Sequence, residues 1–281
     1  MSKQTKTTTA LNKTMFQSIK DALNKQDKPS NTSYSEIMKL EPGKTYTVRL
    51  LPLSKDPEKT FYHYYSHGWN SLATGQYVQA VSPTTNGERD PIAEERYRVR
   101  KAGTEDEKAK AEGIRRIEKW LVNVYVVEDP TTPDNVGKVK IVRFGKQLHK
   151  IIMAAIEGED AEEYGERVFD LSDEGVNLRI KVEKQGDFPS YVASTFKTAP
   201  KLGLSDEKQQ EIYNAAFELD KVFGIKTYQE LQTMLDEHFH CKLTPVTPVE
   251  KKQPAKQEEA VGDDTVFVSD TDDIDELLKG L

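Results

Sequence analysis

The spacing of apolar residues changes period several times along this chain. Across residues 44–50, Tyr46, Val48 and Leu50 alternate with Thr45, Thr47 and Arg49. A period of two marks a strand with one buried face. Residues 59–67 and 76–81 carry further strand patterns, and residues 120–127 carry the strongest one. A turn-rich connection around Pro130 and Pro133 follows, and residues 138–144 are its expected hairpin partner. Residues 176–183 predict one more strand. Elsewhere the period lengthens. Residues 91–119 are highly charged, lack alternation and predict helix interrupted at Gly103, while 145–156, 205–223 and 227–239 predict three further helices. Near the start, Met15, Phe16, Ile19 and Leu23 recur at helical spacing behind Thr14, a candidate N-cap. Strands dominating the middle, with one helical insertion, predict an α+β fold around a small, partly open β-barrel.

Both ends differ from the middle. The first 28 residues hold six lysines, Lys3, Lys6 and Lys13 among them, against Asp21 and Asp27. Residues 28–35 read as a linker. The last 25 residues hold nine acids and one base, and follow a stretch rich in proline, lysine and glutamine that reads as disordered. The expected division is therefore a basic arm with a short helix over residues 1–28, a folded core over 29–243, and a disordered linker and acidic tail over 244–281. The net charge is −7, and residues 29–256 hold 33 bases against 36 acids. A polyanion site in such a chain must come from local clustering, not from bulk charge. No apolar run is long enough for a membrane helix, and no apolar core of a secretory signal stands at the N-terminus. The single cysteine, Cys241, excludes an intramolecular disulfide and points to a reducing compartment.

Residues 135–156 contain Lys138, Lys140, Arg143, Lys146 and Lys150 and no acid, in a chain with 47 acids. Strand parity places Lys138, Lys140, Val142 and Phe144 on one face. Cations neutralise phosphates and flat rings stack on unpaired bases, so this stripe suits a single-strand groove. A solvated strand face is the competing reading. A second cluster comprises Arg96, Arg98 and Arg100 with Arg115, Arg116 and Lys119, interleaved with Tyr97 and Trp120. There the 105–112 stretch reads as a salt-bridged exposed helix, and the 96–100 run as the part that faces a polyanion. Most of the aromatics at 61–65, with Trp69 and Tyr77, are expected in the core. Phe188 and Tyr191 follow Gly186 in an expected loop and are better candidates for function. His63 with His67, and His238 with His240 and Cys241, are the histidine groupings, and their spacing makes no recognised metal site. Catalytic signatures are absent: there is no phosphate-binding glycine loop and no nucleophile elbow.

The order of these segments resembles the single-stranded-DNA-binding, helix-destabilising proteins of T-even-type phages. The resemblance rests on His67-Gly68-Trp69, on residues 120–127 continued by Glu128-Asp129-Pro130, on Asn135-Val136-Gly137-Lys138-Val139, and on Arg143-Phe144-Gly145-Lys146. Phe188 and Tyr191 match loop aromatics of that family. Asp272-Asp273-Ile274-Asp275-Glu276-Leu277-Leu278 is similar to its acidic tail. The resemblance implies an OB-fold core and cooperative, non-specific binding of single strands in replication, recombination and repair, in the cytoplasm of a host cell. It also implies an arm that joins protomers along the strand and a tail that binds other replication proteins. Carried over by position, Arg115, Arg116, Trp120, Lys138, Lys140, Arg143, Phe144, Phe188 and Tyr191 would line the groove.

Two departures stand out. The family holds a structural zinc with one histidine and three cysteines. His67 keeps the histidine position, but Val81, Asp90 and Ala93 stand at the cysteine positions, so no zinc or other cofactor is expected. A family aromatic on the 138–144 strand is here Val142. A replication adaptor that binds only protein, or a metal-dependent nuclease, are the rival readings.

Overall fold

The computed structural model describes residues 35–186, 188–198 and 201–242. The basic arm with its helix at 15–23, the linker before residue 35, and the acidic tail lie outside the described residues.

Among the described residues, nine strands and five α-helices build a mixed α+β fold whose named strand pairs are all antiparallel. In chain order they are β1 (Thr45–Leu51), β2 (Phe61–Asn70), β3 (Tyr77–Val81), α1 (Pro91–Ala102), α2 (Glu105–Glu112), β4 (Ile117–Glu128), β5 (Val139–Phe144), α3 (Lys146–Glu157), β6 (Val176–Lys181), β7 (Glu183–Gln185), β8 (Phe188–Ser190), β9 (Thr195–Thr198), α4 (Asp206–Asn214) and α5 (Tyr228–His238). The main sheet runs β3-β2-β4-β1-β6-β9, with β5 also on β4, and it stays open. β7 and β8 form a separate hairpin. Strand β4 organises the sheet. Its first half pairs with β2, its second half with β1, and β5 takes the other edge from Trp120 to Tyr125.

Why β4 is so apolar follows from its two faces. Trp120, Val122, Val124 and Val126 face a core shared with Tyr46, Val48, Leu50, Val142, Phe144 and Leu178, with Leu148 and Ile152 of α3 closing it. Leu121, on the opposite face, packs with Tyr64, Ile141, Leu219, Val222 and Phe223. A strand covered on both sides loses its polar alternation. The same double coverage affects β1. Arg49 stands where alternation predicts a solvated position, yet it is 0% exposed. Its Nε donates to Asn177 at 2.8 Å, and Nη1 donates to the carbonyls of Asp170 and Ser172.

Three expectations need correction. The interruption expected at Gly103 is present, but helix ends at Glu112 rather than at 119, and the chain is already in β4 at Ile117. Asp90 and Thr104 cap the two helices, Thr104 in a capping box with Glu107. The 205–223 helix stops at Asn214. Asn123 in β4 receives the N–H of Phe217 and donates to its carbonyl, both at 2.9 Å. Those bonds hold the segment extended so that Leu219, Val222 and Phe223 reach the sheet. Phe188, expected in a loop, lies in the short strand β8, and Gly186 supplies the positive φ in the turn from β7 to β8, while Tyr191 follows β8 outside any strand, as expected. None of the helices among the described residues is long and apolar enough to cross a membrane.

Candidate nucleic-acid interface

Rings and cations gather where β2, β4 and α3 meet. Cross-strand register sets His63 against Trp120 and Tyr65 against Glu118. The ring of His63 lies 5.0 Å from Trp120 and 4.9 Å from Tyr65. His149, from α3, stacks on Trp120 at 4.1 Å. Arg116 then places its guanidinium 4.1 Å above the Tyr65 ring, a cation–π contact. Trp120 is only 9% exposed, so it is the floor of this surface rather than its stacking face. The accessible rings are His63, with 41% of its side chain exposed, and the half-buried Tyr65 and His149. Burial lowers the His149 imidazole below its ordinary value against the pull of Glu118, and His63 adds to the lowering. Glu118 brings an acid into the cluster: it lies 2.7 Å from His63 Nε2 and 3.6 Å from Lys146 Nζ.

A second convergence surrounds Arg143. Its charge acts on Lys119 of β4, on Tyr77 of β3 and on Tyr191 after β8. Burial, with Arg143 adding repulsion, pushes the Lys119 ammonium down to about 7. Both cations are half-buried, and two like charges held together favour an anionic ligand between them. Tyr77 is 44% exposed. Its hydroxyl lies 2.1 Å from where a side chain on Gly68 would begin, so the glycine of His67-Gly68-Trp69 makes room for that ring. Tyr191 is half-buried against the main core, with its N–H bonded to Gln147 at 2.9 Å.

The remaining expected residues fare unevenly. Phe144 and Val142 belong to the main core, so the 138–144 face is not a continuous stripe of cations beside a ring. Lys138 is exposed. Lys140 is not: it pairs with Glu36 at 2.7 Å, and 13% of its side chain is exposed. Arg96 binds Glu112 through Nη2 at 3.0 Å, and Arg98 binds Glu95 at 2.7 Å. The 96–100 run therefore already has carboxylates, leaving Arg100 exposed in the last turn of α1. Arg115 is half-buried at the entrance to β4, and Phe188 is half-buried in β8. The sequence places Lys119 in the second basic cluster and Tyr65 and Tyr77 among the aromatics expected mostly in the core, and it offers no signal for His149. Parity does put His63 and Tyr65 on one face of β2, but only the register with β4 brings that face to Trp120.

Residues 43–239 match the family model described as "gp32 DNA binding protein like". The chain belongs to this family. It is 27% identical over 193 residues to the single-stranded DNA-binding protein of Enterobacteria phage T4, a match covering 66% of this chain and 63% of that one. It is 28% identical over 198 residues to the protein of the same name from Enterobacteria phage T2, covering 68% and 64%. The matched stretch thus spans less than two thirds of each relative.

Zinc, which the resemblance implies for gp32-like proteins, does not fit the residues present. His67 Nδ1 lies 2.8 Å from the carbonyl of Ile114 and Nε2 lies 2.9 Å from Asp90 Oδ2, so both ring nitrogens face protein acceptors. Asp90 also accepts from Ser82 and from the N–H groups of Ile92 and Ala93. Burial raises the Asp90 carboxyl, but the His67 bond and charge, the Ser82 bond and the Ala93 N–H outweigh it, and its pKa is lowered. Val81 and Ala93 offer no ligand atoms. His238 bonds to Ser71 at 3.1 Å and His240 lies 3.5 Å from Glu95. Among the described residues no three His, Cys, Asp or Glu side chains gather to hold an ion.

Proposed function

We infer that this protein binds single-stranded DNA without sequence preference, as a non-enzymatic component of phage DNA replication. The observation that carries the reading is the ring-and-cation surface of Arg116, Tyr65, His63, Trp120 and His149, beside the Arg143–Lys119–Tyr77 group. Guanidinium and ammonium groups meet phosphates, and rings of any exposed kind stack on bases regardless of identity. The names of the phage T4 and T2 relatives support the same reading. Antiparallel strands coiling about β4 support an OB-fold relationship. Cooperative binding through Lys3, Lys6 and Lys13, and recruitment of replication, recombination and repair proteins through the acidic tail, complete the proposal. Folding without zinc also belongs to it, because His67 and Asp90, at two of the zinc positions, hydrogen-bond to each other.

The test is titration of the full chain with oligo(dT) and with duplex DNA at two salt concentrations. Tighter binding to oligo(dT), weakening steeply with salt, is expected. Equal affinity for duplex, or binding that ignores salt, overturns the reading. Strand cleavage in magnesium would replace it with a nuclease.

A further inference from the structure

The buried polar group at His67 does not stop at Asp90. Both side chains are 0% exposed. Ser82 Oγ bonds Asp90 Oδ2, and lies 2.8 Å from Thr84 Oγ1. Thr84 Oγ1 in turn lies 3.0 Å from Arg116 Nη1. The direction of these bonds is fixed by chemistry. An ionised carboxylate only accepts, so Ser82 must donate to Asp90. Ser82 has then spent its one proton and must accept from Thr84. Thr84 has spent its proton as well, and its lone pairs are left for a donor, which Arg116 supplies. Arg116 is also held at its backbone end. His67 fixes the carbonyl of Ile114, two residues before it. Tyr65, whose ring lies opposite Arg116, is tied to the same segment by its backbone: its N–H donates to Thr85 Oγ1 at 3.0 Å, and its carbonyl accepts from the N–H of Ser82 at 2.8 Å.

We propose that His67, Asp90, Ser82 and Thr84 form a metal-free positioning device that orients Arg116 over Tyr65 for contact with a DNA strand. An exposed arginine samples many rotamers, and ordering it costs conformational entropy when it binds. A guanidinium already oriented by Thr84 loses less on binding. The device rests on the reading that this surface binds single strands, and the experiment separates the two.

Oligo(dT) affinity and Tm are measured for the full chain carrying Thr84→Val, Thr84→Ser, Arg116→Ala, and Thr84→Val with Arg116→Ala. Thr84→Val keeps the shape and removes the hydroxyl. It should weaken binding about fivefold, the usual effect of one lost hydrogen bond, with little change in Tm. Thr84→Ser should restore affinity. The double variant should bind no more weakly than Arg116→Ala alone, because the hydroxyl acts through that arginine. Additive losses overturn the device, as does a neutral Thr84→Val beside a weakened Arg116→Ala. A neutral Arg116→Ala removes Arg116 from the interface and the device with it. The oligo(dT) titration of the unaltered chain still decides separately whether the protein binds single strands.

Discussion

Glu118 Oε1 lies 2.7 Å from Nε2 of His63, directly beside the Trp120 floor of the aromatic surface. If the surface takes DNA as proposed, an acid in its middle opposes phosphate, and Glu118 also lies 3.6 Å from Lys146. Glu118→Gln keeps the shape and removes the charge. Oligo(dT) affinity at low salt should rise by about three- to tenfold as one opposing charge leaves the surface. Unchanged low-salt affinity would place Glu118 away from the strand.

Rings and cations should separate by their salt dependence. Tyr65→Ala and Tyr77→Ala should each weaken binding by about 1–3 kcal/mol with the slope unchanged. Arg143→Ala should lower the slope by about one unit. Wild-type binding by Tyr77→Ala would restrict the interface to the β2–α3 side.

Lys119 should make DNA binding depend on pH. The free protein loses that charge as pH rises through about 7. A phosphate alongside favours the ammonium and raises its pKa toward the ordinary value of 10.5. Binding therefore takes up a proton above pH 7, and affinity should fall as pH rises, by at most about tenfold per unit. Calorimetry in buffers of different ionisation enthalpy measures the uptake. Lys119→Met should abolish it, and uptake that persists in that variant would assign the proton elsewhere.

Metal removal and acid test the His67–Asp90 pair. A chelator should leave Tm unchanged, and elemental analysis should find no stoichiometric zinc. Asp90→Asn should cost about 3–5 kcal/mol by leaving a buried partner unpaired. The Asp90 pKa is lowered in the folded state, so its contribution to stability is present above the ordinary carboxyl value of 3.8 and is lost as pH falls through the folded value. The acid side of the stability profile should therefore flatten in Asp90→Asn. One tightly held zinc per chain would show that the pair is not the resting state.

The ends of the chain should act on binding in opposite directions. Truncation after Gln257 removes nine acids and one base. It should strengthen DNA binding, mostly at low salt where screening is weak, and abolish binding of partners that dock on Ile274, Leu277 and Leu278. Removing residues 1–20 should weaken binding to long strands far more than to a strand one site long. Unchanged low-salt affinity after truncation would leave the tail as a docking peptide that does not compete with DNA.

Local pattern alone was enough for β1, for the β4–β5 hairpin, for α3 and for the break at Gly103. Each depends on neighbours in sequence: alternation, a turn signal, an apolar stripe, a glycine before a capping threonine. The acid-free run at 135–156 was equally visible, and Arg143 within it does lie at a convergence of cations and rings. What the run could not disclose is that Glu36, 104 residues from Lys140, and Glu118, on the neighbouring β4, supply its missing acids. Nor could parity tell that the face holding Val142 and Phe144 points into the core, because that depends on α3 and β6 closing over it. The helix expected to continue to Phe223 ended early because Asn123 claims the backbone of Phe217. Charge pairing and burial are set by which segments meet, and segments distant in sequence meet only once β4 has gathered β1, β2 and β5 along its edges.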